Sequence, residues 1–420
     1  MARAAPFPPG TDLRATRRID VRSDADVAAH HGRPARALTA SSDRRAVVNS
    51  CDRFVGRTTN WLYDHLRFVP RHEPFVYCDD LSNRAEFPLL QARRRASWRL
   101  SHRAWRRVMG ERLYPTDAYW LRRRRPAALH SHFGYVAVND FTLHAALDVP
   151  WLVGFYGADV YELGRLPEWQ DRYAPLFARA QRVLALGPEM ARALEEIGCP
   201  RPKIVVHALG VDAGSIPSRP RIMRRGEPLK ILFAGTFREK KGIEYVVRGA
   251  AAARRHGVPL HLTLIGDAGT KAGDRETKDA VFAEIRRLDM EAAITYHKFV
   301  EFERLLETAL ASHVFLAPSV TGENGDAEGT PFVLQQMMAT GMAVIATRHS
   351  DIPFIFGEHA DQLLPERDAD AITARLVAYA EDPERLVRDG AMMGQRIRAA
   401  LDVRHCAARL SEIYDEVLSS

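Results

Sequence analysis

Short apolar runs alternate with longer stretches of mixed apolar and polar positions from about residue 45 of this 420-residue chain to its end. The runs 45–50, 75–78, 128–131, 151–156, 182–186 and 204–207 are four to six residues long and read as buried strands. Between them, 61–68, 136–147 and 188–197 carry apolar residues at three- and four-residue spacing and read as helices. The rhythm restarts at 229, with strands expected over 229–234, 258–265, 293–297, 313–317 and 342–347. Helices are expected from 243, over 331–340 and 369–380, and from 383 onward. Such alternation implies parallel sheets covered by helices on both faces, here in two α/β domains. Residues 1–44 follow neither period and read as a disordered extension. The stretch 213–228 combines turn formers with cations and reads as a linker. The expected division is therefore 1–44, 45–212, 213–228, 229–400 and a closing helical segment, 401–420.

Ligands of open α/β sheets gather at the carboxyl ends of the strands. In the first half His132, Tyr156, Asp159 and His207 follow strand ends. Each alone is more often a satisfied structural residue, but four on one rim favour a site. Gly56, after the first strand, would let a ligand approach the backbone, and an ordinary tight turn explains it equally well. In the second half, Gly235-Thr236-Phe237-Arg238-Glu239-Lys240-Lys241-Gly242 joins a strand to a helix. A glycine turn, a helix N-terminus and cations together suit a diphosphate, and surface charge at a helix start is the bland alternative.

The stretch 317–341 carries the most chemistry. A polar, glycine-rich loop holds Glu323, Asp326 and Glu328, and a nearly all-apolar helix follows. Thr330 reads as the N-cap and Pro331 as the first helical residue, where the missing N–H costs nothing. Gln336 is a polar side chain inside that apolar helix and needs a partner. The carboxylates can accept hydrogen bonds from sugar hydroxyls, or can cap the helix and face water.

Charge changes the picture at one place. The net charge is +7, yet 91–126 alone holds twelve arginines against Glu111 and Asp117, which leaves the rest of the chain at −3. Trp98, Trp105, Val108 and Met109 interleave with these arginines at near-helical spacing. A basic amphipathic helix with tryptophans suits an anionic membrane, here the inner face of the plasma membrane. A solvated helix with its tryptophans in the core is an equal alternative. Nucleic acid is disfavoured because no recognised motif accompanies the charge. Cys51, Cys78, Cys199 and Cys406 form no Cys-x-x-Cys pair, so a reducing, cytoplasmic compartment is expected and a structural zinc site is not. There is no apolar run of about 18 residues for a membrane span and no signal-peptide core. A nicotinamide dehydrogenase is disfavoured because no Gly-x-Gly-x-x-Gly follows a first strand.

The stretch 317–341 resembles the signature of the family 4 retaining glycosyltransferases, which have the GT-B fold of two Rossmann-like domains facing across a cleft. The family pattern is Glu-Gly-x-Pro with a second Glu eight residues after the first. Here Glu328-Gly329-Thr330-Pro331 matches, and Gln336 replaces the second acid. Ser319-Val320-Thr321, Gly325-Asp326 and the phrase from Phe54 to Trp61 resemble the branch that builds exopolysaccharides such as colanic acid and amylovoran. Two further departures are Thr236 where an arginine is usual, with Arg238 two residues on, and Tyr156-Gly157-Ala158-Asp159 where His-Gly-x-Asp is usual.

The resemblance implies transfer of a hexose from a nucleotide-diphosphate sugar to a hydroxyl of a glycan or lipid-linked saccharide. It places Arg238 and Lys241 on the diphosphate in place of a metal, Gln336 on the ribose, and Glu328 with Asp326 on donor-sugar hydroxyls. Gly235, Thr236, Gly329 and Thr330 complete the donor site, and no cofactor is implied beyond the donor. Gly56, His132, Tyr156, Asp159 and His207 line the acceptor side, and the last helix crosses back to the first domain. Two rivals stay open: a GT-B epimerase or phosphorylase, and a non-catalytic nucleotide-sugar-binding protein, the latter made possible by the departures at 156 and 336.

Overall fold

Twelve parallel strands in two separate sheets organise the described residues of the computed structural model, which are 44–54, 60–81, 91–95, 100–109, 113, 115–224 and 226–419. The expected extension before residue 44, Gly56 and Trp98 lie outside them. The first sheet contains β1 (Arg45–Arg53), β2 (His72–Asp80), β3 (Gln91–Arg94), β4 (Ala128–His132), β5 (Trp151–Gly154), β6 (Arg182–Ala185) and β7 (Ile204–Val206), in the order β3-β2-β1-β4-β5-β6-β7. The second contains β8 (Leu229–Ala234), β9 (Leu260–Ile265), β10 (Ile294–His297), β11 (Val314–Ala317) and β12 (Ala343–Ala346), in the order β10-β9-β8-β11-β12. Each order reverses once, between β1 and β4 and between β8 and β11. Loops leaving the strands there diverge to opposite faces and open a crevice at the carboxyl ends.

The continuous apolar strands follow from burial on both faces. Successive residues point to opposite sides. Ile231 and Phe233 of β8 enter one core with Val246 and Leu376, while Leu232 and Ala234 enter another with Met337 and Met393. In the first sheet Val48, Leu129 and Val153 face one core, and Val47, Ala128 and Leu152 face a second. That second core is closed by the helix Val403–Ser419, whose stripe Ala407, Leu410, Ile413, Tyr414 and Val417 lies on the sheet. The preceding helix, Pro383–Ala400, packs its Met393 and Ile397 into the second domain. The chain therefore changes domain between consecutive helices. At the crossing, Val211 N donates to Leu401 O at 3.0 Å and Val403 N donates to Val211 O at 2.9 Å. A Cβ on Gly210 would stand 2.7 Å from Leu401 O, so the close passage of the two segments requires glycine.

Several local features depart from the periodic pattern. The helix expected over 136–147 is two, Gly134–Ala137 and Phe141–Leu147. Asp140 between them is fully buried and accepts from Ser131 Oγ at 2.7 Å and Arg95 Nη1 at 3.0 Å. The arginine segment begins as the edge strand β3, followed by the helix Leu100–Met109. Arg93 pairs with buried Asp117 at 2.7 Å, so it and Arg95 are structural cations. Arg44 donates to His72 O at 2.6 Å and so belongs to the folded body rather than to the extension. The helices Pro167–Arg179, Asp274–Arg287 and Phe302–Ala311 escape the sequence pattern. The first contains Pro175, which reads as a breaker, and the second is mostly charged on its surface.

The C-terminal helix is also held by a polar contact. Tyr414 OH lies 2.9 Å from Nδ1 of fully buried His130, whose pKa burial pushes well below the usual histidine value. Tyr414→Phe strips that nitrogen of its partner and should cost about 1–3 kcal/mol. The expected readout is a lowered unfolding midpoint, and an unchanged midpoint would remove this bond from the account.

Candidate functional site

Two loops meet in the crevice between β8 and β11. The 235–242 turn ends at Gly242 (φ 62°), where a Cβ would stand 1.9 Å from Pro318 O. Glycine is needed there both for its conformation and for this approach. Val320 N donates to Lys240 O at 2.9 Å and ties the loops together. Two lysines then face two carboxylates. Lys240 Nζ lies 2.9 Å from Asp326 Oδ1 and 3.8 Å from Glu328 Oε1, and donates to Ala327 O at 3.0 Å. Lys241 Nζ lies 3.1 Å from Glu328 Oε1. Burial pushes Glu328 upward, but Lys241 and Lys240 hold it at about 2. Burial pushes Asp326 above its usual range against the pull of Lys240. Lys240 was not singled out in the sequence. Two adjacent lysines at a helix start give no sign that both turn inward.

Arg238 stands apart from this cluster. Its Nε lies 3.3 Å from Asp274 Oδ1, and a Cβ on Gly269 would meet both Asp274 and Arg238. Gly235 leaves room for the Lys241 stem, 3.7 Å from where its Cβ would be, and the Thr236 methyl stands 3.1 Å from where a Cβ on Gly269 would be. A cavity beneath the loops is lined by Ala234, Lys241, Ala317, Ser319, Pro331 and Leu334.

The helix Phe332–Ala339 starts one residue later than expected. Pro331 is its N-cap (φ −59°, ψ 116°) rather than its first helical residue, and no side chain caps the end. The Thr330 hydroxyl, expected as the cap, is buried without a hydrogen-bond partner. Gln336 is partly exposed, one turn beyond Phe332, which packs against cores of both domains. The two therefore share the face turned toward the first domain. The neighbouring Gln335 is the fully buried glutamine, with neither amide atom bonded.

In the first domain the expected rim is engaged internally. Tyr156 OH lies 2.7 Å from His132 Nδ1, and His132 Nε2 lies 3.0 Å from Asn49 Oδ1. The phenol folds back so far that a Cβ on Gly154 would be 2.5 Å from its oxygen. It does not stand free to replace a donor-contacting histidine. Burial pushes His132 down to about 3, so it is neutral. Asp159 is fully buried and accepts from Gly134 N at 3.0 Å, Tyr156 N at 3.0 Å and Gly157 N at 2.9 Å. It braces the turn and offers no free acceptor to the cleft. His207 Nε2 lies 3.0 Å from Cys406 O, fastening the C-terminal helix, and burial holds it at about 4. Strand-end position locates such residues but cannot show whether their hydrogen bonds are already taken.

The two domains touch across the crevice. A Cβ on Gly329 would stand 3.1 Å from Met190 and 3.5 Å from Tyr156 O. Tyr161 OH and Ser350 Oγ are 3.0 Å apart, and Lys271 pairs with Glu162. Asp351, 1% exposed, accepts from Glu189 N at 2.8 Å and Met190 N at 3.1 Å, so it caps the helix Pro188–Glu196 of the other domain.

Two doubly wound domains with charged loops facing at their switch points define the GT-B architecture. The solved sucrose-phosphate synthase of Thermosynechococcus elongatus superimposes with a TM-score of 0.70 at 15% identity, covering 90% of this chain and 100% of that one. HepE of Anabaena in complex with UDP gives 0.70 at 12% identity, covering 89% and 100%. A profile described as glycosyltransferase family 4 matches residues 62–214, and one described as glycosyl transferases group 1 matches 228–382. The putative colanic acid biosynthesis glycosyltransferase WcaL of Escherichia coli K12 is 32% identical over 255 residues, 60% of this chain and 61% of that protein. The amylovoran biosynthesis glycosyltransferase AmsK of Erwinia amylovora is 30% identical over 254 residues, 60% of each chain. The matched segment thus spans about three-fifths of these relatives' length. The chain belongs to the family 4 glycosyltransferases of GT-B fold.

The Asp351 contact carries a pH signature. Burial pushes its carboxyl up to about 6 from 3.8, against the pull of the two N–H groups. A carboxyl with a raised folded-state value keeps its full stabilising contribution below the unfolded value and loses it as pH rises through the folded one. Relative to Asp351→Asn, which cannot titrate, the wild type should lose stability as pH rises from about 4 to about 6. Unfolding midpoints of the two proteins compared across this window check it, and a constant difference would refute it.

Proposed function

We propose that the chain transfers a hexose from a nucleotide-diphosphate sugar to a hydroxyl of a glycan or lipid-linked saccharide, with retention of configuration, in the assembly of an exopolysaccharide. The observation that carries this reading is the Lys241–Glu328 pair, 3.1 Å apart at the switch point of the second sheet beside an uncapped helix N-terminus. A diphosphate needs cations and free N–H groups, and a sugar needs carboxylate acceptors; both stand within one crevice. The buried, unpartnered Thr330 hydroxyl adds a donor at the same place. The names of the relatives point to exopolysaccharide synthesis, and HepE has been solved with UDP-glucose as well as with UDP.

Glycosyl transfer passes through an oxocarbenium-like state as the bond to the diphosphate lengthens. Positive charge already held at the leaving oxygens lowers that barrier without reorganisation. In this reading Lys241 exchanges Glu328 for the leaving phosphate, and the freed carboxylate of Glu328 accepts from hydroxyls of the sugar. Lys240 stays with Asp326 and keeps the loop's charge compensated. Gln336, on the face turned to the first domain, serves the ribose as a neutral partner. Arg238 reaches the diphosphate only by leaving Asp274. No cofactor enters the reaction.

Lys241→Ala should lower transfer from nucleotide-diphosphate sugars by about a hundredfold or more, the scale lost on removing one preorganised charge-stabilising group. Circular dichroism should be unchanged. Wild-type turnover in that variant would remove the diphosphate role. Failure of the wild type to bind or turn over any nucleotide sugar in a panel would overturn the whole reading.

The acceptor chemistry bears on the arginine segment. Arg107 and Arg122 to Arg125 are exposed together with Val108 (80%) and Tyr119 (64%). Among the described residues no helix is long and apolar enough to cross a membrane. This mixed basic and apolar face suits reversible attachment to an anionic bilayer, where a lipid-linked acceptor would reside. At roughly 1 kcal/mol per arginine, replacing Arg122, Arg123 and Arg125 by Ser should weaken sedimentation with phosphatidylglycerol vesicles by about two orders of magnitude. Equal sedimentation of variant and wild type would rule the face out. Arg93 and Arg95 are unsuitable for this test because their internal pairs hold the fold.

A further inference from the structure

The loop that carries Glu328 is held from behind by a relay that the proposed chemistry does not use. His349, 1% exposed, accepts a hydrogen bond from Glu328 N through Nε2 at 3.0 Å, and its Nδ1 lies 2.6 Å from Glu366 Oε1. A backbone N–H can only donate, so Nε2 bears the lone pair. The ring proton is therefore on Nδ1 and is donated to the Glu366 carboxylate. The second oxygen of that carboxylate accepts from Thr321 N at 2.9 Å. One side chain thus fixes both ends of the 321–328 loop, Thr321 directly and Glu328 through the imidazole. The middle is held separately, by Glu239 accepting from Glu323 N at 3.0 Å.

We propose that His349, locked in its Nδ1–H tautomer by Glu366, is the positioning residue that sets Glu328 against the donor sugar. This rests on the reading of Glu328 as a ligand of sugar hydroxyls. In the structure the Glu328 side chain is steadied by Lys241, 3.1 Å away. A diphosphate that draws Lys241 off removes that restraint at the moment the carboxylate must hold a new partner. The bond from its backbone N–H to His349 then remains, made by a neutral ring buried out of solvent. A carboxylate placed within a few tenths of an ångström discriminates among sugar hydroxyls, whereas one on a loose loop does not.

Glu366→Gln separates this role from simple bracing because it keeps the size and shape of the side chain. The amide has one acceptor oxygen for two donors. If the oxygen stays with Thr321 N–H, the NH₂ group faces Nδ1 and drives the ring proton to Nε2, against Glu328 N–H. If the oxygen stays with the ring, the NH₂ group opposes Thr321 N–H. Either way one end of the loop is released.

The test compares wild type, Glu366→Gln, His349→Gln and His349→Leu by ¹⁵N-imidazole NMR, by UDP binding, and by binding and turnover of UDP-glucose. UDP has no hexose and so presents no donor-sugar hydroxyl to Glu328. The expected result is an Nδ1–H ring in the wild type and UDP affinity within about twofold in all four proteins. For UDP-glucose, kcat/KM should fall about tenfold or more in Glu366→Gln and His349→Leu, as misplacement of a binding group predicts. His349→Gln, whose amide oxygen can still accept from Glu328 N–H, should recover part of the loss. An Nε2–H or doubly protonated ring in the wild type overturns the proposal. So does equal loss of UDP and UDP-glucose binding, or wild-type turnover in Glu366→Gln. A wild type that binds neither UDP nor UDP-glucose sinks the donor reading instead, and the NMR tautomer still decides whether the relay exists.

Discussion

Two lysines and two carboxylates in one small volume are the arrangement on which the site depends. Glu328 is 8% exposed, and an ionised carboxylate so placed persists only with a partner close by. Lys241 at 3.1 Å and Lys240 at 3.8 Å supply it. Those distances exist because Gly242 lets the first loop reach the carbonyl of Pro318, so a backbone requirement underlies an electrostatic one. A buried ion pair of this kind is a poor source of net stability, since its desolvation offsets most of its attraction. It is well suited to exchange. A ligand that brings negative charge for Lys241 and hydroxyls for Glu328 replaces the partner of each, while Lys240 remains paired with Asp326.

The crevice is bounded by a second domain that the chain reaches twice, once near Val211 and again between Leu401 and Val403. These crossings lie side by side and are hydrogen-bonded to each other, so the covalent links between the domains converge on one narrow place. Across the mouth the contacts are small and polar: the Asp351 cap on a helix end, the Tyr161–Ser350 bond and the Lys271–Glu162 pair. Apolar contact is added by Phe332, which is shared by cores of both domains and lies one turn before Gln336, and by the approach of Gly329 to Met190.

Histidines and acids at the strand ends of the first domain show how burial redirects residue types that resemble a catalytic set. His130, His132 and His207 are neutral because burial disfavours the imidazolium. Their nitrogens meet Tyr414, Tyr156, Asn49 and the carbonyl of Cys406, so they join the C-terminal helix and the rim turn to the sheet. Asp159 has the same fate, its carboxylate enclosed by three backbone N–H groups.

Alternation of apolar runs with helical spacing was enough to reveal two parallel α/β halves, because burying both faces of a strand forces nearly every residue to be apolar. The glycine–cation turn at 235–242 and the acidic loop at 317–330 were legible for a related reason: helix starts that bind anions need small residues and charges at fixed places. Sequence could not say which cation meets which acid. Lys240 turns inward while Arg238 goes to Asp274, and that choice belongs to contacts between segments 86 and 36 residues apart. Nor could it show that Tyr156, Asp159 and His207 are engaged by His132, by three backbone N–H groups and by the Cys406 carbonyl, or that Arg93 and Arg95 serve the core. A periodic pattern records which side of an element is buried. Pairing of polar groups is decided by distances of a few ångströms between distant parts of the chain, and only the folded structure sets those.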